Sequence, residues 1–406
     1  MADTPRIGYV VSRFPEFSEG FIRYELAEIR KLAGTAWVLP AVAGPGRDSN
    51  GDPFVLAPPH CLSAAALSAW RELLRVRPGP VFGAISRAAA MLAVAPVEAA
   101  KWLALMPRLA WLGRAAARVG VTHLHAHFAA LPACAAWTLS RWFGFSYSVT
   151  AHAYDLLSPA RFLRMKLSGA AFGVAVSEFT RAALLRSVPE TSGFRWHLIR
   201  NGIPLDVFAP GPGRPARDTP RLLSVGRMVP KKGAPVLLEA CSILRREGCP
   251  FECRLVGDGP LMGYLRSLSR RLGIADRVVF PGVLTGADLA REYAEADVFA
   301  LACVESMHGE TDTLPVVLAE AMASGVPVVS TRIAAIPELV EPGRTGLLAE
   351  PGNAAELAAA IMRLLEDGAL RRTLAAGALE KVRRDYDVRR TAAQLYECMV
   401  NAGRRP

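Results

Sequence analysis

The chain has 406 residues, of which 51% are hydrophobic and 21% are charged, a globular composition that excludes a disordered or fibrous chain. A single hydrophobic core rarely serves so many residues, so we expect two domains of about 200 residues each. The formal net charge of +11 lies almost entirely in residues 1–205, which carry 22 Lys and Arg against 12 Asp and Glu; residues 206–406 carry 26 against 25. A basic domain would attract anionic lipid, nucleic acid or a phosphorylated acceptor, and an arginine-rich proteome would explain the charge equally well.

In chain order, short apolar segments alternate with helical patterns from end to end. In the first half, strands are predicted at residues 6–11, 121–124, 146–150 and 173–176, and helices at residues 21–29 and within 60–120. A stretch rich in Pro and Gly at residues 209–220 predicts a linker or long turn. The second half has apolar runs at residues 221–225, 251–256, 278–280, 298–301 and 326–330, and a last helix at 387–402. Short apolar strands between helices predict α/β domains built on parallel sheets with helices on both faces.

The sequence contains no segment that we expect to be a signal peptide or a membrane span. No charged stretch followed by a long apolar one opens the chain. The most apolar windows are residues 88–106, which Pro96, Glu98 and Lys101 interrupt, and residues 128–139, which are too few. The seven cysteines are odd in number and scattered, which indicates reduced thiols. We therefore predict a cytoplasmic protein.

Between residues 98 and 120, four basic residues lie within an arc of roughly 140° at helical spacing. They are Lys101, Arg108, Arg114 and Arg118. Such an arc is typical of helices that bind an anionic membrane surface, and an ordinary helix packed on a sheet explains it equally well. Pro107 should kink or split this helix.

The loop after the predicted strand at residues 221–225 is a candidate for phosphate binding. Gly226 permits a tight exit from the strand, Arg227 can hold phosphate oxygens with its fork, and Lys232 adds a point charge. The next helix should begin near Pro235, because proline is favoured at the first helical position. A solvated basic turn would look the same, so this loop alone leaves both interpretations open.

A second loop, at residues 256–261, follows a strand of the same predicted sheet. Gly257 and Gly259 would let its backbone approach a ligand, because ligands of open α/β sheets bind beyond the carboxyl ends of the strands. The loop lacks the G-x-G-x-x-G pattern of dinucleotide sites. By itself it is weak support for a nucleotide site.

A helix start in the middle of the second half provides the strongest local signal. Asp312 or Thr313 is expected to cap a helix that starts at Pro315, and the free N–H groups there, next to Leu314, would bind a diphosphate. Glu320 lies about 1.5 turns into the helix, where its carboxylate would accept both hydroxyls of a ribose. Asp312 precedes the helix and would reach the sugar end of the same ligand. The alternative is an exposed Glu320 without a function, which its apolar neighbours disfavour.

Histidines of the first half lie near the ends of two predicted strands. His152 follows the strand at residues 146–150 and should face a cleft. His123, His125 and His127 alternate, which places them on one face of a strand. A metal bound by this trio is conceivable, but alternate residues of one strand rarely converge on one ion, so we predict no metal.

Together these segments resemble the retaining GT-B glycosyltransferases of family 4, and the resemblance covers nearly the whole chain. The second half carries it in SVGRMVPKKG, LVGDGPL, TDTLPVVLAEAMASGVPVVST and IPELVEPGRTGLL, and the first half in SRFPEFSEGFI, HAHFA, TAHAYDLL, AVSE and NGIPLDVF. The opening SRFPEFSEGFI is similar to that of the subgroup that assembles colanic acid and other bacterial exopolysaccharides.

The resemblance implies a GT-B fold, an α/β architecture of two Rossmann-like domains facing across a cleft. Residues 1–203 would form the acceptor-side domain, to which a C-terminal helix at residues 387–406 crosses back. Residues 204–386 would form the domain that binds the donor nucleotide.

Carried over residue by residue, the resemblance implies a role for each candidate. Arg227 and Lys232 would hold the diphosphate, and Glu320 would hold the ribose. Asp312 would contact the donor sugar, and His152 would line the sugar site from the first domain. The remaining donor-binding candidates are the loop and helix-start residues Gly226, Gly257, Gly259, Thr313, Leu314 and Pro315, with Glu19 and Gly20 near the diphosphate and the acceptor.

The resemblance implies catalysis without a metal or a resident cofactor, with the nucleotide diphosphate-sugar as co-substrate. Arg227, Lys232 and the helix dipole would stabilise the departing diphosphate. Transfer would retain the anomeric configuration through front-side attack, without a protein nucleophile. Expected partners are the donor, a saccharide or polyprenyl-diphosphate-linked glycan acceptor and an anionic membrane surface at the inner face of the plasma membrane, but no nucleic acid.

Three residues depart from the family pattern. Asp312 occupies the position of the first Glu of the E-x7-E pair, Thr313 replaces a usual Gly, and Pro204 replaces an Asp of many members. A carboxylate withdrawn by roughly 1.5 Å would require an altered loop or a different donor sugar. The alternatives to an active glycosyltransferase are an epimerase- or phosphorylase-like enzyme of nucleotide-sugars, and an inactive subunit that binds them, which only Asp312 supports.

Overall fold

The computed structural model describes residues 5–14, 19–42, 52–152, 155, 158–189, 194–211, 219–307 and 309–403. The chain forms two compact units, one of Met1–Arg200 with Arg389–Pro406 and the other of Asn201–Val388. Each unit contains a six-stranded sheet. No helix within the described ranges has both the length and the apolar character that crossing a membrane requires.

The sheet of the first unit is entirely parallel. Its strands are Ile7–Val11 (β1), Ala36–Pro40 (β2), His123–His127 (β3), Ser146–Ala151 (β4), Gly173–Ala175 (β5) and Trp196–Leu198 (β6). They pair in the order β2-β1-β3-β4-β5-β6. Every residue of β1 and β3 is buried, as expected of parallel strands that helices cover on both faces.

The helices of the first unit surround this sheet and supply most of its core. They are Gly20–Ala33 (α1), Ala64–Val76 (α2), Pro78–Met91 (α3), Pro96–Arg118 (α4), Leu131–Phe143 (α5), Ala160–Leu167 (α6) and Glu178–Ser187 (α7). Trp102 of α4 and Trp142 of α5 are fully buried in the main apolar cluster. The long helical stretch predicted within residues 60–120 is therefore three helices.

The strand predicted at residues 121–124 begins later than expected, at His123. The Val121 N–H bonds to the carbonyl of Ala116, and the Gly120 N–H bonds to that of Ala117. Gly120 has a φ of 77°, so these residues close the end of α4 as a glycine C-cap. Residues 121–122, which the apolar pattern assigned to the strand, therefore precede it, and Val121 belongs to the end of α4.

The basic arc predicted on α4 is interrupted at Arg108. Arg108 is 5% exposed and donates hydrogen bonds to the carbonyl oxygens of Pro59 at 2.9 Å and Ala41 at 3.3 Å. Arg114 pairs with Glu72 of α2 at 2.5 Å. The long arginine stem lets a buried residue satisfy its charged end on main-chain carbonyls, so α4 packs inward at Arg108, whereas Lys101 and Arg118 are exposed. Pro107 lies inside α4 without splitting it.

The second unit repeats the architecture with another parallel sheet. Its strands are Arg221–Val225 (β7), Glu252–Val256 (β8), Val278–Gly282 (β9), Val298–Ala300 (β10), Val328–Thr331 (β11) and Leu347–Ala349 (β12), in the order β12-β11-β10-β7-β8-β9. Its helices are Ala234–Arg246 (α8), Met262–Arg271 (α9), Gly286–Glu295 (α10), Val316–Ala323 (α11), Ile336–Leu339 (α12), Ala354–Glu366 (α13) and Gly368–Asp385 (α14). Since β7 lies between β10 and β8, the loops after these three strands leave the same edge of the sheet.

The last helix, Val388–Gly403 (α15), packs on the first unit. Its residues Ala392, Leu395 and Met399 share a buried apolar cluster with Ile22 and Leu26 of α1. The stretch predicted as a linker at residues 209–220 includes residues 212–218, which lie outside the described ranges.

Candidate functional site

The loops after β7 and β8 pack directly against each other. The Gly226 N–H donates to the carbonyl of Val256 at 3.0 Å. Gly257 has a φ of 132°, and a Cβ there would lie 2.0 Å from the Gly226 carbonyl oxygen. A Cβ at Gly259 would lie 2.7–2.9 Å from the backbone of Met228. These glycines, which we expected to let a ligand approach, thus admit a neighbouring backbone.

A second close approach of two backbones positions Lys232. Gly233, which precedes α8, has a φ of 66°, and a Cβ there would lie 1.6 Å from the carbonyl oxygen of Ala302. Beside it, the Val304 N–H donates to the carbonyl of Lys231 at 3.1 Å. Only glycine fits this contact, which holds the loop after β7 against the segment that follows β10.

Lys232 and Asp312 form an ion pair. Lys232 Nζ lies 2.5 Å from Asp312 Oδ2, and the two side chains are 16% and 21% exposed. Burial opposes the charged form of each group, yet the pair outweighs it: the pKa of Lys232 is raised and that of Asp312 is lowered. The structure therefore brings together the predicted diphosphate cation and the predicted sugar carboxylate, both charged.

The predicted side-chain cap of α11 is wrong. The helix begins at Val316 with Pro315 at the N-cap position, and no side chain caps it. Thr313 is buried at 3% exposure, its carbonyl accepts from the Ala335 N–H, and its hydroxyl oxygen has no hydrogen-bond partner in the part of the chain that the structure describes. Leu314 is also buried. Since no side chain among the described residues caps the first N–H groups of α11, they are available to an anion.

Glu320 is buried inside α11, so the alternative of an exposed side chain is wrong. The hydroxyl of Tyr293, on α10, donates to its Oε2 at 2.7 Å. Burial raises the pKa of Glu320 to about 7, although the Tyr293 hydroxyl and Lys232 act in the opposite direction. A carboxyl with this pKa changes its charge near neutral pH, which is uncommon outside functional sites.

Arg227 differs from the other candidates because it is exposed. Within the described residues, its guanidinium has no hydrogen bond and no ion pair. A cation without a partner beside the loop that carries Lys232 suits the recruitment of an anionic ligand.

The candidate His152 lies in the first unit, within a cluster of aromatic rings. Its ring centroid is 4.4 Å from that of Phe128 and 5.1 Å from that of Phe21. Its backbone N–H donates to Asp155 Oδ2 at 2.7 Å. Burial lowers the pKa of His152 well below its ordinary value, and His127 adds to the effect, so the ring is neutral. That it contacts the donor sugar stays a prediction.

The other histidines of β3 are committed to hydrogen bonds. His123 contacts the hydroxyls of Ser146 and Ser148, and His125 contacts those of Ser148 and Thr150. Potential ligand atoms of Glu25, His125 and His127 lie within 4.8 Å of one another. Since each ring nitrogen of His125 and His127 already has a hydrogen-bond partner, this geometry favours a polar network over a metal site.

Glu19 and Gly20 mark the start of α1. Gly20 is the first residue of the helix, and Glu19, at the N-cap, forms no capping hydrogen bond with its side chain. The preceding residues 15–18 of the SRFPEFSEGFI motif lie outside the described ranges, as do residues 153–154 and 156–157 of TAHAYDLL. The predicted roles of Glu19 and Gly20 stay predictions.

Two residues of these sites were not predicted. Tyr293 on α10 forms a hydrogen bond with Glu320 on α11, and no local sequence pattern predicts this contact. Glu25, which contacts His127 at 2.9 Å, does carry a signal. It lies on the same stripe of α1 as the buried residues Ile22, Leu26 and Ile29, where a carboxylate needs a partner.

Known proteins resemble a large part of the second unit. Residues 219–367 match the family described as Glycosyl transferases group 1. WcaL of Escherichia coli, named for colanic acid biosynthesis, is 38% identical over 159 residues, which are 39% of this chain and 39% of that protein. The amylovoran biosynthesis glycosyltransferase AmsK of Erwinia amylovora is 36% identical over 179 residues, 44% of each chain. The match thus spans less than half the length of these relatives, and it confirms the resemblance to glycosyltransferases of exopolysaccharide synthesis.

A solved structure extends the fold comparison to the whole chain. HepE of Anabaena, in complex with UDP, matches 97% of this chain and 98% of its own with a TM-score of 0.68 at 20% identity. At this identity the likeness concerns the fold alone. It confirms the predicted GT-B class with two Rossmann-like domains.

Proposed function

Because residues 219–367 match the family described as Glycosyl transferases group 1, we propose that the protein transfers a sugar from a nucleoside diphosphate-sugar to a saccharide or lipid-linked saccharide. The observation that carries this proposal is the Lys232–Asp312 ion pair in the same unit as the buried carboxyl of Glu320. One unit thus offers a cation for the diphosphate, a carboxylate for the sugar and a carboxyl for the ribose. Residues 204–386 would bind the donor, and residues 1–203 with the C-terminal helix would bind the acceptor.

Lys232 and Arg227 would act on the leaving group. When the glycosidic bond to the donor phosphate breaks, negative charge develops on the diphosphate, and preformed cations and helix N–H groups stabilise it. The start of α11 adds its dipole. Together these protein groups would stabilise the negative charge of the departing diphosphate. We therefore propose that transfer needs no metal and retains the anomeric configuration.

Asp312 and His152 would hold the donor sugar through its hydroxyls. The carboxylate of Asp312 accepts hydrogen bonds only, and charge-assisted bonds of this kind are short and strong. Because Lys232 also pairs with Asp312, the same lysine would orient the carboxylate and meet the diphosphate. The shorter Asp312 is therefore anchored by a neighbour, which supports an active enzyme over an inactive subunit.

A donor screen tests the proposal. UDP-, GDP- and ADP-sugars are each incubated with the full chain in EDTA, and hydrolysis, transfer and thermal unfolding are recorded. One nucleotide class at about 100 times its Kd should raise the Tm by about 5–10 °C and be turned over. Donor hydrolysis separates an enzyme from an inactive subunit, and product analysis separates transfer from epimerisation. No turnover of any donor, or turnover only with added Mg²⁺, would contradict the proposal.

Glu320 should make donor binding depend on pH. Its ionised form would accept hydrogen bonds from both ribose hydroxyls, so affinity should rise with pH until the carboxyl, with its pKa of about 7, is deprotonated. For one linked proton, the Kd should fall about tenfold from pH 6 to pH 8. The 2′,3′-dideoxy analogue has the same phosphates and no ribose hydroxyls, so its affinity should not show the pH dependence that Glu320 causes. Equal pH profiles for the two nucleotides would exclude the role.

We also propose that the protein docks on the inner face of the plasma membrane through α3 and its flanks. Four exposed apolar residues lie there: Val76 at 71%, Phe82 at 61%, Leu92 at 39% and Val97 at 64% exposure. Arg75, Arg77 and Arg87 lie among them, and residues 73–97 contain no Asp or Glu. Exposed apolar residues among basic ones suit an anionic lipid surface, and a lipid-linked acceptor would be presented at that surface.

Vesicle flotation tests this docking surface. Binding to vesicles with anionic lipid should be strong at low salt and weaken at high salt. The Phe82→Ser/Arg87→Glu variant should lose most of it. Val283→Ser, at a similarly exposed residue of the second unit, is the control and should float like the parent. Absence of flotation at low salt, or equal flotation of all three proteins, would remove the proposal.

A further inference from the structure

A chain of hydrogen bonds runs through the first unit to His152. The Tyr9 hydroxyl donates to Glu25 Oε1 at 2.8 Å. The same oxygen lies 2.9 Å from His127 Nε2, and His127 Nδ1 lies 3.4 Å from His152 Nε2. Tyr9 and His127 are fully buried, and His152 is 7% exposed. Residues of β1, α1, β3 and the end of β4 thus form one relay: Tyr9, Glu25, His127 and His152.

The carboxylate of Glu25 determines which nitrogen atoms of this relay carry a hydrogen and which accept one. Burial raises the pKa of Tyr9 well above its ordinary value, and Glu25 adds to the effect, so the phenol keeps its proton and donates it. A carboxylate only accepts, so His127 Nε2 must also carry a hydrogen. In a neutral His127 ring, Nδ1 is then the acceptor, and the hydrogen between the two histidines belongs to His152 Nε2.

The surroundings of His152 restrict the ring further. Phe128, whose ring lies on it, has a φ of 74°, a conformation that bulky residues adopt only where their surroundings impose it. The Phe128 N–H bonds to the carbonyl of Thr150, and Asp155 holds the His152 N–H. Backbone and ring of His152 are thus both fixed by neighbours, a pattern typical of preorganised sites.

We propose that Glu25 and His127 are positioning residues that hold His152 with hydrogen on Nε2 and a lone pair on Nδ1. His152 would then meet the donor sugar as a hydrogen-bond acceptor, so a hydroxyl hydrogen of the sugar would point at Nδ1. This use of the relay rests on the proposed function, whereas the tautomer itself is independent of it.

Long-range ¹H–¹⁵N spectra of the labelled full-length chain test the tautomer. The parent should show His152 with a protonated Nε2 and an unprotonated Nδ1, assigned by loss of its signals in His152→Gln. Glu25→Met removes the acceptor and should give a mixture of tautomers. Glu25→Gln keeps an oxygen that accepts from His127, so it should preserve the parental state. Ser148→Ala, which removes hydrogen bonds of His123 and His125 but none of the relay, is the control and should leave His152 unchanged.

Kinetics test the consequence. Glu25→Met should lower kcat about tenfold, whereas the Kd of the nucleoside diphosphate should stay within about twofold because the second unit binds it. Glu25→Gln should restore most of kcat, and Ser148→Ala should keep it. Thermal unfolding of each variant shows that it folds.

A protonated Nδ1 on His152 in the parent, or an unchanged tautomer and kcat in a folded Glu25→Met, would overturn the proposal. If the parent transfers no sugar, the proposed function fails, and the spectra still decide the relay.

Discussion

Replacing Lys232 with methionine is expected to weaken the binding of a nucleoside diphosphate by about 10- to 100-fold. The ammonium forms charge-assisted bonds, each of which contributes about 1.5–3 kcal/mol. Its loss also leaves the carboxylate of Asp312 without its partner, and that negative charge would repel the incoming diphosphate. Titration calorimetry in EDTA, at low and high salt, measures the effect.

Two further variants separate these contributions. Lys232→Met/Asp312→Asn removes the repelling charge and should recover part of the affinity. Lys231→Met is the matched control, because the Lys231 carbonyl accepts from the Val304 N–H and its charge acts on Asp312 less than that of Lys232. Arg227→Ala should weaken binding by only about two- to fivefold, because an exposed cation is screened by solvent. An unchanged Kd in Lys232→Met, or an equal loss in Lys231→Met, would contradict the assignment.

Removing the carboxylate of Asp312 is expected to lower turnover by about 10- to 100-fold, the effect of losing one charge-assisted hydrogen bond to the sugar. The affinity for the nucleoside diphosphate should stay the same or increase, because Lys232 would then lose the partner that competes with the phosphates. Asp312→Ala and Asp312→Asn should agree, since the charge and not the bulk matters. Turnover and calorimetry measured on the same preparations separate the two effects.

Asp312→Glu should change the preference among donor sugars, because the longer side chain advances the carboxylate by about one carbon–carbon bond. The double-mutant cycle of Lys232→Met and Asp312→Ala then gives the coupling between the two groups. If Asp312→Ala transfers sugar at the parental rate, this carboxylate has no role, and Glu310, two residues earlier, becomes the better candidate.

The predicted helix cap shows where sequence reasoning failed within the site. Asp312 and Thr313 are favoured capping residues, but Asp312 pairs with Lys232, and the Thr313 hydroxyl forms no hydrogen bond with any described residue. Propensity describes competition among local partners. Lys232, which lies 80 residues earlier in the chain, binds Asp312 in preference to those local partners. No pattern within a few residues of position 312 predicts this contact.

The predicted basic arc of α4 is interrupted for a related reason. Helical spacing placed Arg108 and Arg114 on one basic face of α4, but the spacing does not reveal which face a neighbouring helix covers. The carbonyls of Pro59 and Ala41, and Glu72 of α2, satisfy those arginines. Buried polar groups need partners, and those partners come from residues more than 40 positions away.

The sequence by itself determined the alternation of strands and helices, the parallel α/β class, and the loops that carry Lys232 and Glu320. These features depend on hydrophobic periodicity and on glycines next to strand ends, which act over a few residues. Only the tertiary structure decided which polar side chains meet: Lys232 with Asp312, Tyr293 with Glu320, and Glu25 with His127. The physical reason is that burial and hydrogen-bond partners depend on contacts between segments far apart in the chain.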